Sequence, residues 1–212
     1  MSDLTLYTNP MSRGRIARWM LEEVGQPYET VLLGYEDSMK AADYLAINPM
    51  GKVPAIVHEG RTVTECAAIC AYLADAFPDA GLAPATDARA DYYRWLFFAA
   101  GPLEQAVTSR TAGWTPTAEQ QRMFGFGDYD RVVDALEGAV KAASDGWLAA
   151  DHFTACDLYV GAHLTWGTGF GTIPKRDAFM AFVERVNARP AARRAAEIDD
   201  ALVAGMKAAA SA

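Results

Sequence analysis

The sequence contains few of the residues that build metal centres and disulfide frameworks. Its 212 residues include three cysteines and three histidines. Cys66, Cys70 and Cys156 are an odd number, and only the first two are close in sequence, four residues apart. We therefore expect neither a disulfide framework nor a metal centre.

Basic residues are also in the minority, with 19 Lys and Arg against 27 Asp and Glu and a formal net charge of −8. This balance gives no broad attraction for nucleic acid or for an anionic membrane. No stretch approaches the ~20 apolar residues of a membrane span, and the start Met1-Ser2-Asp3-Leu4 lacks the pattern of a signal peptide. We expect a cytoplasmic protein without nucleic-acid or membrane partners, in which local groups must bind any anionic ligand.

Residues 1–80 alternate between strand and helix patterns. Short runs rich in β-branched and aromatic residues predict strands, whereas apolar residues at helical spacing predict helices. The pair Glu59-Gly60 favours a tight hairpin. The predicted elements are a strand at 4–7, a helix from about Ser12 to Val24, a strand at 28–33, hairpin strands at 55–58 and 61–63, and a helix from an N-cap at Thr64 to Phe77. This order predicts a small α/β domain.

Residues 81–86 have the composition of a linker, and residues 87–212 show only helical periodicity. We predict an all-α second domain over 87–212, with Trp114-Thr115-Pro116 and Gly167–Gly171 as loops. Thr154 and Asp157 form a predicted capping box, with Asp in place of Glu or Gln. The predicted helices span residues 87–110, 117–143, 154–166, 177–187 and 190–209.

The stretch Asn48-Pro49-Met50-Gly51-Lys52-Val53-Pro54-Ala55-Ile56 combines a turn, a bend and the start of a strand. Pro54 forces Val53 into an extended conformation, in which its backbone N–H and C=O can face outward. Such groups can pair with the backbone of a small peptide, as in strand addition. The simpler alternative is an ordinary trans proline that opens an edge strand.

Taken together, residues Tyr7 to Arg15, Asn48 to Ile56 and Thr64 to Ile69 resemble the glutathione-binding half of cytosolic glutathione transferases. The capping box from Phe153 to Asp157 is similar to that family's as well, so the resemblance spans nearly the whole chain. It implies a thioredoxin-like first domain, an all-α second domain and a cis Pro54. It also implies glutathione as co-substrate and, as is usual in the family, a homodimer.

The resemblance also assigns the residues that bind glutathione. Val53, fixed by Pro54, would pair with the central cysteinyl unit, and Lys52 would approach one carboxylate. Glu65 would accept the ammonium group, while the free N–H groups at its helix start would receive the other carboxylate. The family usually has serine where this chain has Cys66. Because a thiol is a weaker donor than a hydroxyl, we expect retained but weaker glutathione binding.

Catalysis requires the glutathione thiolate, which a hydroxyl donor near the sulfur would stabilise. Ser12 is the first candidate, and its alternative role is that of a plain N-cap. Tyr7 falls about two residues too early for the tyrosine of other branches, so it lines the pocket or belongs to the core. Asn9 could donate through its amide, although beside Pro10 it suits a turn.

Phe98, Arg110, Trp114 and Phe170 are candidates for the electrophile pocket by position. The predicted activity is conjugation of glutathione to small apolar electrophiles, with hydroperoxide reduction as a further possibility. A glutathione-dependent isomerase or dehalogenase is an alternative on the same scaffold, and disulfide reduction is disfavoured because Ser12 stands where a cysteine is needed. A non-catalytic binding or regulatory protein with this fold is the alternative from another class.

Overall fold

A computed structural model of the chain describes residues 3–210, which contain one mixed sheet. Its strands are β1 (Leu4–Thr8), β2 (Glu29–Leu32), β3 (Ala55–His58) and β4 (Arg61–Thr64). They lie in the order β2-β1-β3-β4. Strand β1 pairs parallel with β2 and antiparallel with β3, and β3 pairs antiparallel with β4. This is the α/β arrangement with a following hairpin that the sequence predicts.

The helices of the described part follow in chain order. They are α1 (Gly14–Val24), α2 (Ala42–Leu45), α3 (Cys66–Ala76), α4 (Ala90–Phe98), α5 (Glu104–Thr111), α6 (Tyr129–Ala143), α7 (Ala155–Phe170), α8 (Asp177–Asn187) and α9 (Pro190–Ala210). Within residues 3–210, no helix is long and apolar enough to cross a membrane. The same residues contain no group of three or more His, Cys, Asp or Glu side chains placed to hold a metal ion.

The chain divides into two compact units. The first unit contains the described residues up to Ala80 together with those from Ala188 onward, and the helical unit is Gly81–Asn187. Its helical periodicity predicts that the last helix belongs to the helical domain, 87–212. In the structure α9 packs against α1 in the first unit. Helical periodicity shows that a helix has an apolar face, but it does not show which partner covers that face.

A buried ion pair joins α1 to α9 inside the first unit. Arg18 Nε donates to Asp199 Oδ1 at 2.8 Å, and both side chains are almost fully buried. The guanidinium also donates to the hydroxyls of Tyr28 at 3.1 Å and Thr30 at 3.3 Å. Among residues 3–210, Arg18 Nη2 and Asp199 Oδ2 are buried without a hydrogen-bond partner. Next to this pair, Arg15 and Asp200 form an exposed ion pair at 2.7 Å.

Three predicted helix starts are wrong, two by one or two residues and the third by twelve. Helix α1 begins at Gly14 rather than near Ser12. Helix α3 begins at Cys66, so Thr64 ends β4 and does not cap the helix. The helix predicted from residue 117 begins only after its N-cap Asp128, whose carboxylate accepts a hydrogen bond from the N–H of Arg131.

Two features of the helical unit differ from the prediction for local reasons. A π-helical turn at Ala99–Leu103 separates α4 from α5, and it contains Pro102, which cannot donate a backbone hydrogen bond. The predicted glycine-rich loop is the last turn of α7, which ends in a left-handed Gly171. A Cβ atom at Gly167 would lie 2.4 Å from Ile173 Cδ1, so this glycine is required for packing. The predicted capping box between Thr154 and Asp157 is present.

Candidate functional site

The segment before β3 forms a tightly held loop that ends in a cis peptide bond between Val53 and Pro54. The cis bond expected at Pro54 is confirmed. Gly51 has a φ of 57° and donates its N–H to the carbonyl of Asn48, closing the predicted turn. The carbonyl of Lys52 accepts hydrogen bonds from the Tyr44 hydroxyl at 2.6 Å and the Asn48 amide at 2.8 Å. These contacts fix the backbone on the N-terminal side of Val53.

Val53 presents its own backbone groups without internal partners. Among residues 3–210, neither its N–H nor its C=O makes a hydrogen bond. Its half-buried side chain packs against a cluster of Leu33, Met39, Tyr44 and Ala55. A donor and an acceptor on one fixed residue can pair with the backbone of a peptide ligand.

The start of α3 offers a second set of unpaired groups. Glu65 is exposed and has the unusual backbone angles φ 64° and ψ 114°. Within the described chain its carboxylate makes no hydrogen bond or ion pair, and no side chain caps the helix. The N–H groups of Cys66 and Ala67 are therefore available at a helix N-terminus, where an anion is favoured.

The thiol of Cys66 points into the protein. Its Sγ donates to the carbonyl of Arg13 at 3.6 Å, and the residue is only 8% exposed. A hydrogen bond with Cys66 and complete burial raise the pKa of the Cys70 thiol, one helical turn away. The thiol of Cys66 therefore links the start of α3 to the loop before α1, and its backbone N–H is the group left for a ligand.

Ser12 lies in the loop before α1 and uses its hydroxyl locally. Ser12 Oγ donates to the carbonyl of Asn9 at 2.7 Å and accepts from the N–H of Gly14 at 2.9 Å. Arg13 stands at the N-cap position without a side-chain hydrogen bond, and Ser12, one residue earlier, accepts from the first N–H of α1. To stabilise a thiolate, the hydroxyl proton must turn away from Asn9. That rotation keeps the hydrogen bond from Gly14.

Asn9 and Tyr7 differ in whether their polar side-chain groups already make hydrogen bonds within the protein. Asn9 is buried, donates through Nδ2 to the carbonyl of Leu33 at 2.8 Å and accepts from the N–H of Met11 at 2.9 Å. Its amide therefore holds a turn. The Tyr7 ring packs against Tyr44 with centroids 5.7 Å apart, and its hydroxyl makes no hydrogen bond to any described residue. Tyr7 is thus the candidate whose hydroxyl needs no rearrangement.

Several residues that shape this site are absent from the sequence prediction. Lys40 Nζ donates to the carbonyl of Gly51 at 2.7 Å and so braces the loop before Val53. Tyr44 supports the same loop through its hydroxyl, and burial raises the pKa of Tyr44 to about 12. Both lie in a polar segment without strong periodicity, so no sequence signal identified them. Lys52, which the sequence did single out, has an exposed side chain.

The helical unit contains a cavity of about 430 Å³ between the end of α5 and the start of α6. Two of the predicted electrophile-site residues, Arg110 and Trp114, line it. Phe98 instead packs on Trp95, and Phe170 is 80% exposed at the end of α7, so neither lines the cavity. The lining also includes Ser109, Thr115, Phe126, Asp128, Tyr129 and Asp130. A cavity of this size fits a small organic molecule.

Comparisons with known proteins identify the family. A family model described as glutathione S-transferase, N-terminal domain, matches residues 2–75. The chain is 31% identical to glutathione S-transferase GST-4.5 of Xanthomonas campestris over 191 residues, which is 86% of this chain and 92% of the relative. A glutathione transferase structure from Methylococcus capsulatus aligns with a TM-score of 0.75 at 28% identity, covering 93% of this chain and 98% of that one. A sphingomonad glutathione S-transferase solved with glutathione gives a TM-score of 0.70 at 27% identity, covering 92% and 98%. The chain therefore belongs to the glutathione S-transferase family of enzymes.

Proposed function

We propose that the protein conjugates the thiolate of glutathione to small apolar electrophiles. The observation that carries this proposal is Val53, whose unpaired N–H and C=O are held beside a cis Pro54. A glutathione molecule can pair its cysteinyl backbone with these two groups. The sphingomonad relative solved with glutathione supports the same ligand for this chain.

Besides its cysteinyl backbone, glutathione carries one ammonium group and two carboxylates. The ammonium group needs an anionic partner, and each carboxylate needs a cationic or N–H partner, in the same unit of the protein. The exposed carboxylate of Glu65 suits the ligand's ammonium group, and the N–H groups of Cys66 and Ala67 suit the neighbouring carboxylate. The exposed side chain of Lys52, the residue before Val53, suits the glycyl carboxylate. These local groups allow an anionic ligand on a protein with a net charge of −8.

Thiol activation is assigned to Ser12, with Tyr7 as its competitor. A donor hydrogen bond to the sulfur favours the thiolate and lowers the thiol pKa. Ser12 lies at the N-terminal end of α1, where the helix dipole also favours a negative charge. The electrophile is assigned to the cavity of the helical unit, on the side chains of Arg110 and Trp114.

Calorimetric titration with glutathione tests the binding half of the proposal. Glu65→Gln removes the charge but keeps the shape, so we expect glutathione affinity to fall about tenfold or more. Glu59→Gln is the matched control, because Glu59 is also an exposed glutamate with positive φ, at 49°. Equal losses in the two variants, or no binding by the wild type, would refute the assigned site. Absent binding would favour a non-catalytic member of the family.

Steady-state turnover of an aryl chloride tests the catalytic half. Ser12→Ala should lower kcat by about a hundredfold while leaving glutathione affinity nearly unchanged, since a catalytic donor of this kind contributes ~10²–10³ in kcat. Tyr7→Phe and Asn9→Ala are compared in parallel. A Ser12→Ala enzyme with wild-type kcat beside an inactive Tyr7→Phe enzyme would transfer the role to Tyr7.

The homodimer common in the family is proposed for this chain as well. Helix α4 exposes two aromatic side chains, Tyr93 at 41% and Phe97 at 65%, with ring centroids 6.3 Å apart. Exposed aromatic pairs of this kind favour a protein interface. Analytical ultracentrifugation should give a dimer, and Phe97→Asp should shift it toward monomer.

A further inference from the structure

The cavity of the helical unit has one aromatic wall and one cationic corner. Trp114 and Phe126 form the wall, with ring centroids 6.3 Å apart and an interplanar angle of 69°. Arg110 supplies the cationic corner, and its guanidinium lies 4.0 Å from the ring centroid of Tyr129. The Tyr129 hydroxyl donates to the carbonyl of Thr172 at 2.6 Å, so the ring beneath the guanidinium is fixed. Stacking on a fixed ring holds the guanidinium in place before a ligand arrives.

The donors of Arg110 are open to a ligand. Among the described residues the guanidinium donates no hydrogen bond, and its one ion pair is with Asp130 at 3.9 Å. That distance is too long for a hydrogen bond, and the Asp130 side chain is 87% exposed. An exposed pair of this kind contributes little and is readily displaced.

The surrounding acids limit which anion can bind. The carboxylate of Asp128 is already engaged, accepting from the N–H of Arg131 at 2.9 Å and pairing with Arg131 Nε at 3.1 Å. Asp128 and Asp130 together disfavour a dianion such as a phosphate ester, because like charges repel. A monoanionic carboxylate matches the planar fork of a guanidinium and replaces only Asp130.

The geometry points to an aromatic carboxylate as the ligand of this cavity, with its ring on Trp114 and Phe126 and its carboxylate on Arg110. A role for this ligand in catalysis rests on the proposed function. If the ligand is the co-substrate, the electrophile is an aryl compound that carries a carboxylate. With an aryl chloride, the glutathione sulfur bonds to the ring carbon and chloride leaves with the bonding pair. The ligand's carboxylate takes no part in that exchange and serves recognition alone.

The binding test uses unreactive probes, 4-nitrobenzoate and its neutral counterpart 4-nitrobenzamide, titrated into the full-length protein by calorimetry. We expect the benzoate to bind at least about tenfold more tightly, as for a hydrogen-bonded charge. Arg110→Gln should abolish this preference, and Asp130→Asn should increase benzoate affinity by removing the competing carboxylate. Arg94→Gln is the matched control, because Arg94 also stacks on a ring, Trp95 at 4.6 Å, and pairs with an exposed aspartate outside the cavity.

The catalytic test compares kcat/KM for 4-chloro-3-nitrobenzoate and 4-chloro-3-nitrobenzamide. Arg110→Gln should reduce the ratio of the two values about tenfold, and Arg94→Gln should leave it unchanged. Equal wild-type affinities for the benzoate and the benzamide, or a preference that survives in Arg110→Gln, would overturn the inference. Arg110-dependent benzoate binding without any turnover would confirm the ligand class and refute the transferase proposal instead.

Discussion

The ion pair between Arg18 and Asp199 gives the sharpest prediction about stability. Replacing Asp199 by Ala leaves the guanidinium of Arg18 buried, with only the hydroxyls of Tyr28 and Thr30 as partners. Breaking one side of a buried pair costs ~3–5 kcal/mol. Since domains are stable by ~5–15 kcal/mol, Asp199→Ala should remove about a fifth or more of the free energy of unfolding.

The neighbouring pair supplies the control. Arg15 and Asp200 join the same two helices at 2.7 Å, but their side chains are 27% and 69% exposed. An exposed pair contributes only ~0–1 kcal/mol, so Asp200→Ala should be nearly neutral. The two variants thus compare the same charge change, one residue apart, in buried and in exposed surroundings.

The hydrogen bonds of the buried pair do not satisfy all of its polar atoms, and this predicts the outcome for a third variant. Arg18 Nη2 and Asp199 Oδ2 find no hydrogen-bond partner in the described part of the chain. Burial raises the pKa of Asp199 against the opposing effect of Arg18. Replacing both residues together, as Arg18→Met with Asp199→Leu, should therefore cost far less than Asp199→Ala alone.

Urea unfolding followed by far-ultraviolet circular dichroism measures these differences, and hydrogen exchange in α1 and α9 shows where protection is lost. Asp199→Ala should lower the unfolding midpoint and expose amides in both helices. Equal losses for Asp199→Ala and Asp200→Ala would show that burial does not set the strength of these pairs. A double variant as unstable as Asp199→Ala would show that an unpaired charge is not the cause.

Three further predictions concern packing, capping and pH. A Cβ atom at Gly14 would lie 1.8 Å from Thr8 Oγ1, so Gly14→Ala should cost ~1–3 kcal/mol and Thr8→Ala should recover much of that loss in urea unfolding. Thr154→Ala removes a capping-box side chain and should lower the free energy of unfolding by ~1–2 kcal/mol, measured in the same way. Burial raises the pKa values of Tyr44 and Tyr28 to about 12, above the ~10 of an unfolded tyrosine, so their contribution to stability should be complete below about pH 10 and decline toward pH 12. Tyr44→Phe should make this decline shallower, and an unchanged pH profile would contradict the assignment.

The parts of the site that the sequence predicts are those set by local backbone chemistry. Pro54 fixes its own φ and Gly51 allows the positive φ of a turn, whatever surrounds them, so the bend at Val53 can be predicted from the sequence. The sequence also predicts Glu65 as the acidic residue at a helix start. It does not predict the positive φ of Glu65, or that the helix begins after Glu65 and not after Thr64. Helix ends are commonly uncertain by one or two residues because the end turns are held by few hydrogen bonds.

The parts that the sequence could not predict depend on distant partners. Asp199 looks like a surface acid until α9 is placed against Arg18. The cavity side chains Arg110 and Tyr129 lie on different helices, and their stacking follows from tertiary packing that no short sequence window contains.

The packing of α9 into the first unit sets an order of events during protein synthesis. Arg18 precedes its partner Asp199 by 181 residues, and the whole helical unit is made between them. At ~5–20 residues per second, the ribosome needs about 10–40 s to add that stretch. Throughout this interval the nascent first unit carries an arginine without its carboxylate partner and a face of α1 without its covering helix. The helical unit, which is continuous in sequence, can therefore finish folding before the first unit does.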